Sequence, residues 1–276
     1  MNLSLEVLGK RPDGYHRLRT IFQAIELHDE LWLELASDLS LEVEGEAPPG
    51  DDNLVLRAAR ALAAHAGARG ARIRLRKSIP SGAGLGGGSS DAAATLLGLQ
   101  RLWRLEMPLQ GLERLARELG ADVSFFLHGG TACASGRGDL ITPLPAAPAM
   151  WLVISVPEVR VSNKTARVFR TLGPDEYTDG QRVGQLAELL ARGQPPAGAS
   201  LFNGLFPAAC RVFDGLAGHA EALQLRTGAR WTLSGAGPAM FTVAGSGAEA
   251  EAVRLNASGV EGRVFVTCSE PPPQGP

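Results

Sequence analysis

The sequence predicts an α+β protein of two domains, and three observations support this fold class. Its 276 residues exceed the length of one average domain. Segments with the alternation of half-buried strands are interspersed with helical segments whose starts carry capping residues. Three prolines, Pro143, Pro145 and Pro148, separate two strand-like segments near the middle of the chain. They place the predicted boundary between an N-terminal domain at 1–148 and a C-terminal domain at 149–270.

The N-terminal half is predicted to begin with strands. Apolar residues share one parity in residues 3–7 and again in 31–35, and Asp13-Gly14 supplies a turn between the first two strands. Asp51-Asp52-Asn53 offers cap residues for a helix at 54–65. The next predicted elements are a strand at 71–77, a helix capped by Ser89-Ser90-Asp91 that runs to Trp103, and a helix from Pro108 to Gly120.

The C-terminal half is predicted to alternate short strands with helices after a strand at 150–156. The final residues, 271–276, are rich in proline and predict a disordered tail. The predicted helices lie at 162–172, 181–191, 205–223 and 248–255, and the predicted strands lie at 131–135, 231–234, 239–243 and 262–266.

Composition excludes several function classes. The formal net charge of -2 gives no reason to expect nucleic acid or an anionic membrane as a partner, and an aromatic content of 5% is poor for a single-strand stacking platform. Three widely separated cysteines indicate neither a disulfide framework nor a thiolate metal site. With no signal-peptide pattern or long apolar run, we expect a cytoplasmic protein.

Residues 80–91, Pro-Ser-Gly-Ala-Gly-Leu-Gly-Gly-Gly-Ser-Ser-Asp, are the most informative stretch. Glycines let backbone N–H groups approach an anion closely, serines add hydroxyl donors, and a following helix directs its positive dipole end to the same place. A flexible surface linker would also be rich in glycine and serine. The patterned strand before the stretch and the capped helix after it favour phosphate binding.

Other glycine motifs fit the stretch less well. Gly82-x-Gly84-x-x-Gly87 satisfies a dinucleotide fingerprint, but four residues separate it from the strand, and Glu106 lies beyond the next helix. A P-loop is excluded because no lysine follows the last glycine. A protein kinase is excluded because the chain has neither His-Arg-Asp nor Asp-Phe-Gly.

The stretch resembles the ATP-phosphate motif of the GHMP kinase superfamily, and its triple glycine resembles the 4-diphosphocytidyl-2-C-methyl-D-erythritol kinase branch. Three further segments keep the family order: residues 11–16 (Arg-Pro-Asp-Gly-Tyr-His), 119–123 (Leu-Gly-Ala-Asp-Val) and 233–238 (Leu-Ser-Gly-Ala-Gly-Pro). The resemblance covers almost the whole chain. It implies a two-domain GHMP kinase fold, with an N-terminal domain like domain 2 of ribosomal protein S5 and a ferredoxin-like C-terminal domain.

The resemblance also implies the reaction, which is ATP- and Mg²⁺-dependent phosphorylation of the 2-hydroxyl of the substrate in isoprenoid precursor synthesis. Asp122 would be the base or would orient the hydroxyl, although without the resemblance a turn or capping aspartate is the preferred interpretation. Asn53 and Lys77 would lie near the adenine, but Lys77 also reads as a solvated strand end. The residues that the resemblance assigns to the ATP phosphates are Pro80, Gly82, Gly84, Leu85, Gly86, Gly87, Gly88, Ser89 and Ser90.

Substrate-binding residues follow from the same resemblance. Tyr15 and His16 would bind the cytosine by stacking and by hydrogen bonding, although such a pair is usually a half-buried tyrosine and a surface histidine. Phe169 would close the other face of the base, whereas a helical phenylalanine is more often a core residue. The remaining assigned residues are Asn2, Asp122, Gly235 and Gly237, and the last two also fit a plain hairpin turn.

The chain departs from the family at its start. The family opens with Ala-Lys, an aliphatic residue and Asn-Leu, and Met1-Asn2-Leu3 matches only the end of this pattern. We can name no residue as a metal ligand. A late start and an impaired kinase are both open explanations, and we expect the chain as given to bind nucleotide but turn over slowly. Three competing functions stay open, namely another GHMP-type kinase, a non-catalytic nucleotide-binding protein and a dehydrogenase.

Overall fold

A computed structural model describes residues 1–67, 69–145 and 147–271. The strands are β1 (Asn2–Lys10), β2 (His16–Gln23), β3 (Glu30–Ala36), β4 (Leu39–Glu44), β5 (Gly70–Arg76), β6 (Thr131–Gly136), β7 (Leu140–Pro143), β8 (Trp151–Val156), β9 (Thr232–Leu233), β10 (Met240–Ala244) and β11 (Arg263–Cys268). The helices are α1 (Leu54–Ala66), α2 (Gly87–Leu102), α3 (Leu109–Leu119), α4 (Val123–His128), α5 (Lys164–Arg170), α6 (Gln181–Ala191), α7 (Phe206–Val212), α8 (Leu216–Thr227) and α9 (Gly247–Ala257).

The described residues form two compact units that are interleaved along the chain. The first unit comprises residues 1–26 and 82–85 and the described residues from 129 onward, and the second comprises 27–81 and 86–128. Each unit therefore draws on more than one stretch of sequence. The boundary predicted at 148, as the division between the two family domains, stays a prediction.

The first unit contains two four-stranded sheets. One has the order β1-β2-β6-β7 and the other has the order β11-β8-β10-β9, and all their strand pairs are antiparallel. The residues around Asn203 join the free side of β1, because Leu5 forms a parallel bridge with Asn203. Inward-facing side chains of β1, β8 and β10 pack with α5, α7 and α8 in one apolar core that includes Phe213.

The second unit contains one three-stranded sheet covered by helices. Its order is β3-β5-β4, with β3 antiparallel and β4 parallel to the central β5. Buried residues of β5 pack with α1, α2, α3 and α4, and Trp103 lies fully within this core. Asn53 caps α1, since its side chain accepts a hydrogen bond from the Val55 backbone N–H. This is the cap that the sequence predicts.

The α+β class predicted from the sequence is confirmed, but the start of one helix is corrected. Ser89, Ser90 and Asp91 do not cap α2, because the helix begins at Gly87 and all three lie in its first turns. Gly86 has φ +79°, a left-handed conformation that lets the chain turn directly from the loop into the helix. The dipole end of α2 therefore lies nearer the glycines than predicted.

Further differences come from short elements. The helix predicted at 205–223 is two helices, because Phe213 leaves helical geometry and Gly215 has φ +76°. Sequence patterns did not predict β4, β7 and α4, which have six, four and six residues and carry too little periodicity to be recognised. Of the tail predicted at 271–276, residues 272–276 lie outside the described part of the chain.

Candidate active site

The first part of the predicted phosphate loop lies in the first unit, against the second glycine turn. Gly84 has φ +92°, and a Cβ there would lie 2.5 Å from the Ser234 carbonyl oxygen and 2.9 Å from that of Gly237. The Ser234 hydroxyl donates to the Gly84 carbonyl at 2.9 Å, and the Ala239 N–H donates to the Ala83 carbonyl at 2.9 Å. Only glycine fits at position 84, and the two glycine segments are joined by hydrogen bonds.

Asn2 belongs to the same group in the first unit. Its backbone N–H donates to the Ser234 hydroxyl at 3.4 Å, and a Cβ on Gly235 would lie 3.1 Å from its side-chain oxygen. The Asn2 side-chain amide donates to the Thr20 hydroxyl at 2.8 Å. The turn at 234–238 connects β9 with β10, as expected for a hairpin. Its residues Gly235 and Gly237 also lie next to Asn2 and Gly84, and all four were predicted from the sequence to bind ligands.

The second part of the loop lies in the second unit and opens α2. A Cβ on Gly86 would lie 2.9 Å from the Phe126 ring, and one on Gly87 would lie 2.9 Å from the Ile79 side chain. The Ser90 hydroxyl donates to the Gly87 carbonyl at 2.7 Å. The 16 residues of α2 direct a positive dipole end to this part of the loop. Backbone N–H groups at a helix start of this kind bind phosphate readily.

Lys77 is enclosed by two aspartates beneath the start of α2. Its ammonium lies 2.5 Å from Asp29 Oδ2 and 2.7 Å from Asp91 Oδ2, and the three side chains are 6%, 1% and 5% exposed. The other Asp29 oxygen accepts the backbone N–H groups of Ser78 and Ile79, at 2.6 Å and 2.9 Å. The reading of Lys77 as a solvated strand end is therefore wrong.

This cluster carries one more acidic group than basic groups. Burial raises the pKa of Asp91 to about 7, against the opposing effect of the Lys77 ammonium, and the nearby Asp29 carboxylate adds to the rise. A Cβ on Gly87 would lie 3.3 Å from the Lys77 ammonium nitrogen. The cluster therefore fixes the residues that lead into the loop to the first turns of the helix that follows it.

The other residue assigned near the adenine, Asn53, is also engaged structurally. Its side-chain oxygen accepts from the Val55 N–H at 2.9 Å, and its amide donates to the Pro48 carbonyl at 3.1 Å.

Asp122 is half-buried and lies between α3 and α4, where the Val123 N–H donates to the Gly120 carbonyl at 3.2 Å. It belongs to the second unit, as do Asn53 and Lys77.

The predicted base-binding residues form an aromatic cluster in the first unit. The rings of His16 and Phe169 are stacked, with centroids 5.3 Å apart and planes at 29°. Tyr15 is 57% exposed, and the guanidinium of Arg137 lies 5.0 Å from the centre of its ring. Burial, helped by the charge of Lys10, lowers the pKa of His16, so its imidazole is neutral near pH 7.

Sequence reasoning missed two members of this cluster. Tyr177 meets His16 edge-on at 6.0 Å, and Arg137 lies over Tyr15. Both are distant from the 11–16 segment in sequence, so no local pattern links them to it. The alternation of residues in β6 predicts a strand that ends near Gly136. It does not predict that the Arg137 guanidinium lies over the Tyr15 ring.

The fit of the site to cofactors can be tested on its own residues. Positions 84 and 86 admit no side chain where the backbone bends, which is the property an anion cradle needs. Within the described residues, no group of three or more His, Cys, Asp or Glu side chains is placed to hold a metal ion. Mg²⁺ commonly binds through one or two carboxylates and the phosphates of a nucleotide, so it does not require such a group.

Comparisons with known proteins agree with this geometry. The family described as GHMP kinases N terminal domain matches residues 53–130. The chain is 42% identical over 246 residues to a 4-diphosphocytidyl-2-C-methyl-D-erythritol kinase of Pelotomaculum thermopropionicum, covering 87% of this chain and 85% of that protein. A kinase of the same name from Moorella thermoacetica is 40% identical over 261 residues, covering 92% and 90%.

Solved structures give the same result. A crystal structure of 4-(cytidine 5'-diphospho)-2C-methyl-D-erythritol kinase is 39% identical, with a TM-score of 0.82 over 97% of this chain and 96% of that one. A homoserine kinase from Cytophaga hutchinsonii shares the fold, with a TM-score of 0.71 at 21% identity over 99% and 96% of the two chains. No helix among the described residues has the length and apolar character needed to cross a membrane. The chain belongs to the 4-diphosphocytidyl-2-C-methyl-D-erythritol kinase family of GHMP kinases.

Proposed function

We propose that this protein transfers the γ-phosphoryl group of ATP to the 2-hydroxyl of 4-diphosphocytidyl-2-C-methyl-D-erythritol, a step in isoprenoid precursor synthesis. The observation that carries the proposal is the glycine loop, whose left-handed backbone leads directly into the N-terminus of α2. Family membership supplies the substrate class. ATP with Mg²⁺ supplies the transferable phosphoryl group when bound.

The residues of the loop bind and orient the phosphates. The N–H groups at Gly86–Ser89 and the dipole end of α2 favour the negative charge of the phosphates. Gly82, Gly84 and Leu85 carry the remainder of the loop, with Pro80 before it. Phosphoryl transfer needs mainly positioning and electrostatic stabilisation, so such a cradle accounts for much of the chemistry.

Asp122 orients the attacking hydroxyl and accepts its proton. Its carboxylate is held at a helix-to-helix turn, where the end of α3 at Gly120 and the start of α4 restrict the backbone. A general base of this kind contributes about 10²–10⁴-fold to a rate. Asn2, Gly235 and Gly237 contact the substrate.

The aromatic cluster binds the cytosine. The exposed Tyr15 face and the Phe169 ring provide two stacking surfaces, and the neutral imidazole of His16 offers one donor and one acceptor to the polar edge of the base. Asn53 and Lys77 support the adenine side of the site indirectly. Asn53 caps α1, and Lys77 fixes the end of the strand before the loop.

Other properties remain proposals of the same kind. We propose a cytoplasmic location, which is supported by three free cysteines, Cys133, Cys210 and Cys268. The oligomeric state, monomer or homodimer, stays a prediction. Family membership leaves the dehydrogenase reading without support, whereas a slow or non-catalytic nucleotide-binding member remains a second candidate to be tested.

The test is ADP release from ATP and Mg²⁺ in the presence of 4-diphosphocytidyl-2-C-methyl-D-erythritol. Asp122→Asn is expected to lower kcat by about 10² or more while substrate affinity stays within a few fold. Asp214→Asn, which removes the same charge from an exposed position, should leave kcat unchanged.

A chain extended by Ala-Lys before a residue that replaces Met1 is measured alongside, because the family motif opens with Ala-Lys and an aliphatic residue. Substrate and ATP binding without ADP release from either chain would support the non-catalytic candidate. Turnover of homoserine or mevalonate in preference to the cytidine substrate would contradict the proposed specificity.

A further inference from the structure

Lys164 lies against the second glycine turn. It is the first residue of α5, and its ammonium donates a hydrogen bond to the Gly237 carbonyl oxygen. The side chain is half-buried. Asn163, just before it, has φ +50°, a left-handed conformation that asparagine tolerates better than most residues. The chain thus turns sharply at the point that directs Lys164 to the glycine segment.

The same carbonyl also borders the first part of the phosphate loop. A Cβ on Gly84 would lie 2.9 Å from the Gly237 carbonyl oxygen, the atom to which the Lys164 ammonium is bonded. Gly84, Gly237 and Lys164 all belong to the first unit. The Gly237 carbonyl oxygen therefore lies next to the Lys164 ammonium and also next to Gly84, where the two glycine segments meet.

The positive charge of Lys164 is important because neither glycine segment contains a basic side chain. Residues 80–91 and 234–238 contain no lysine or arginine, and their anion-binding groups are neutral backbone and hydroxyl donors. A carbonyl oxygen pointing toward a bound phosphate would repel it. The Lys164 ammonium brings a positive charge beside that carbonyl, and a lysine can bind phosphate as a point charge.

We propose that Lys164 is a phosphate-binding residue, whose ammonium is held on the Gly237 carbonyl to bind a phosphate oxyanion. The oxyanion belongs either to ATP or to the diphosphate of the cytidine substrate. The inference rests on the proposed function, because it assumes that the glycine segments bind these phosphates.

A purely structural role would have different consequences. If Lys164 only ties α5 to the glycine turn, its loss lowers stability and changes the two affinities only through misfolding. If it binds phosphate, its loss weakens binding of one ligand and reduces the salt dependence of that binding, since screening acts on the missing charge. Arg170 provides a matched control, because it is an exposed cation at the other end of the same helix.

The experiment measures binding of a non-hydrolysable ATP analogue and of 4-diphosphocytidyl-2-C-methyl-D-erythritol by calorimetry, at low and high salt. We expect Lys164→Gln to lose about tenfold or more in affinity for one ligand, Lys164→Arg to retain most of it, and Arg170→Gln to stay within about twofold. Loss of ATP-analogue binding assigns the oxyanion to the nucleotide, and loss of substrate binding assigns it to the diphosphate.

Two results would overturn the inference, and they are distinguishable. Unchanged affinities and salt dependence in Lys164→Gln, with normal binding by the unmodified chain, would overturn this inference alone. An unmodified chain that binds neither ligand would overturn the proposed function as well. If Lys164→Gln unfolds, Lys164→Arg is measured in its place. This variant keeps the positive charge, so a folded Lys164→Arg that binds neither ligand would contradict a role for the charge.

Discussion

Lys77 and Lys164 each lie beside a glycine segment of the proposed site, but their surroundings differ. In the second unit, Lys77 is almost fully buried and shares its charge with Asp29 and Asp91. In the first unit, Lys164 is half-buried and is bonded to the neutral carbonyl of Gly237. The described partners of the first ammonium are two carboxylates, whereas one described partner of the second is a neutral carbonyl oxygen.

The comparison shows that the partner of a lysine decides what its charge does. A buried ammonium between two carboxylates is part of the fold, because its removal leaves both carboxylates in the interior without a compensating charge. An ammonium held at a bend of the backbone beside two glycine segments can also contact an incoming anion. Loss of Lys77 should therefore affect folding, and loss of Lys164 should affect binding.

The largest expected effect is on stability when Lys77 is replaced. Lys77→Met removes the ammonium and leaves Asp29 and Asp91 buried together, so we expect the free energy of unfolding to fall by about 3–5 kcal/mol. Urea denaturation followed by circular dichroism measures this change. Arg74→Met is the matched control on β5, the strand that Lys77 directly follows, since its ion pair with Glu42 is exposed and contributes about 0–1 kcal/mol. Equal losses of stability in Lys77→Met and Arg74→Met would mean that the buried Lys77 cluster contributes no more than an exposed ion pair. Lys77 would then not differ from Lys164 in its importance for folding.

A pH series sharpens the comparison further. Because the folded pKa of Asp91 is raised from 3.8 to about 7, its contribution to stability is fully present below pH 3.8 and is lost as pH rises through about 7. Asp91→Asn cannot ionise, so its free energy of unfolding should fall less than that of the unmodified chain between pH 4 and pH 8. Parallel curves for the two proteins would show that Asp91 is ionised throughout this range.

The smallest expected effect comes from loosening the glycine segments without changing any charge. Ser234→Ala removes the hydroxyl that bonds to the Gly84 carbonyl, and we expect a loss of about 1 kcal/mol in the free energy of unfolding. Affinity for the ATP analogue should fall by less than in Lys164→Gln. A larger loss of affinity in Ser234→Ala would mean that loop geometry, and not the ammonium, dominates phosphate binding.

Local patterns predicted much of the fold. The helix predicted at 54–65 is α1 at Leu54–Ala66, with Asn53 as its cap, because capping and periodicity are both local signals. The glycine-rich stretch at 80–91 was predicted to bind phosphate from local signals of the same kind, and this role stays a prediction. The start of α2 was placed wrongly, since the serines suggested a cap while the left-handed Gly86 already turns the chain.

Contacts between distant residues could not be predicted in this way. Lys77 and Asp29 are 48 residues apart, and no periodicity or motif connects them. The position of Arg137 over Tyr15 and that of Lys164 on Gly237 depend in the same way on the assembled first unit. The sequence could indicate which residue types would bind phosphate and base, but not which partners would neutralise or expose each charge.

The interleaving of the two units also sets an order of events during synthesis. Most of the second unit lies between residues 27 and 128, so its partners leave the ribosome close together. Strand β1 must wait longer, because Ser4 bonds to a residue 198 positions later and Asn2 to one 232 positions later. At about 5–20 residues per second, this delay is on the order of ten seconds or more. An edge of β1 therefore stays unpaired in the nascent chain until the C-terminal half arrives, and an unpaired strand edge can pair with another chain.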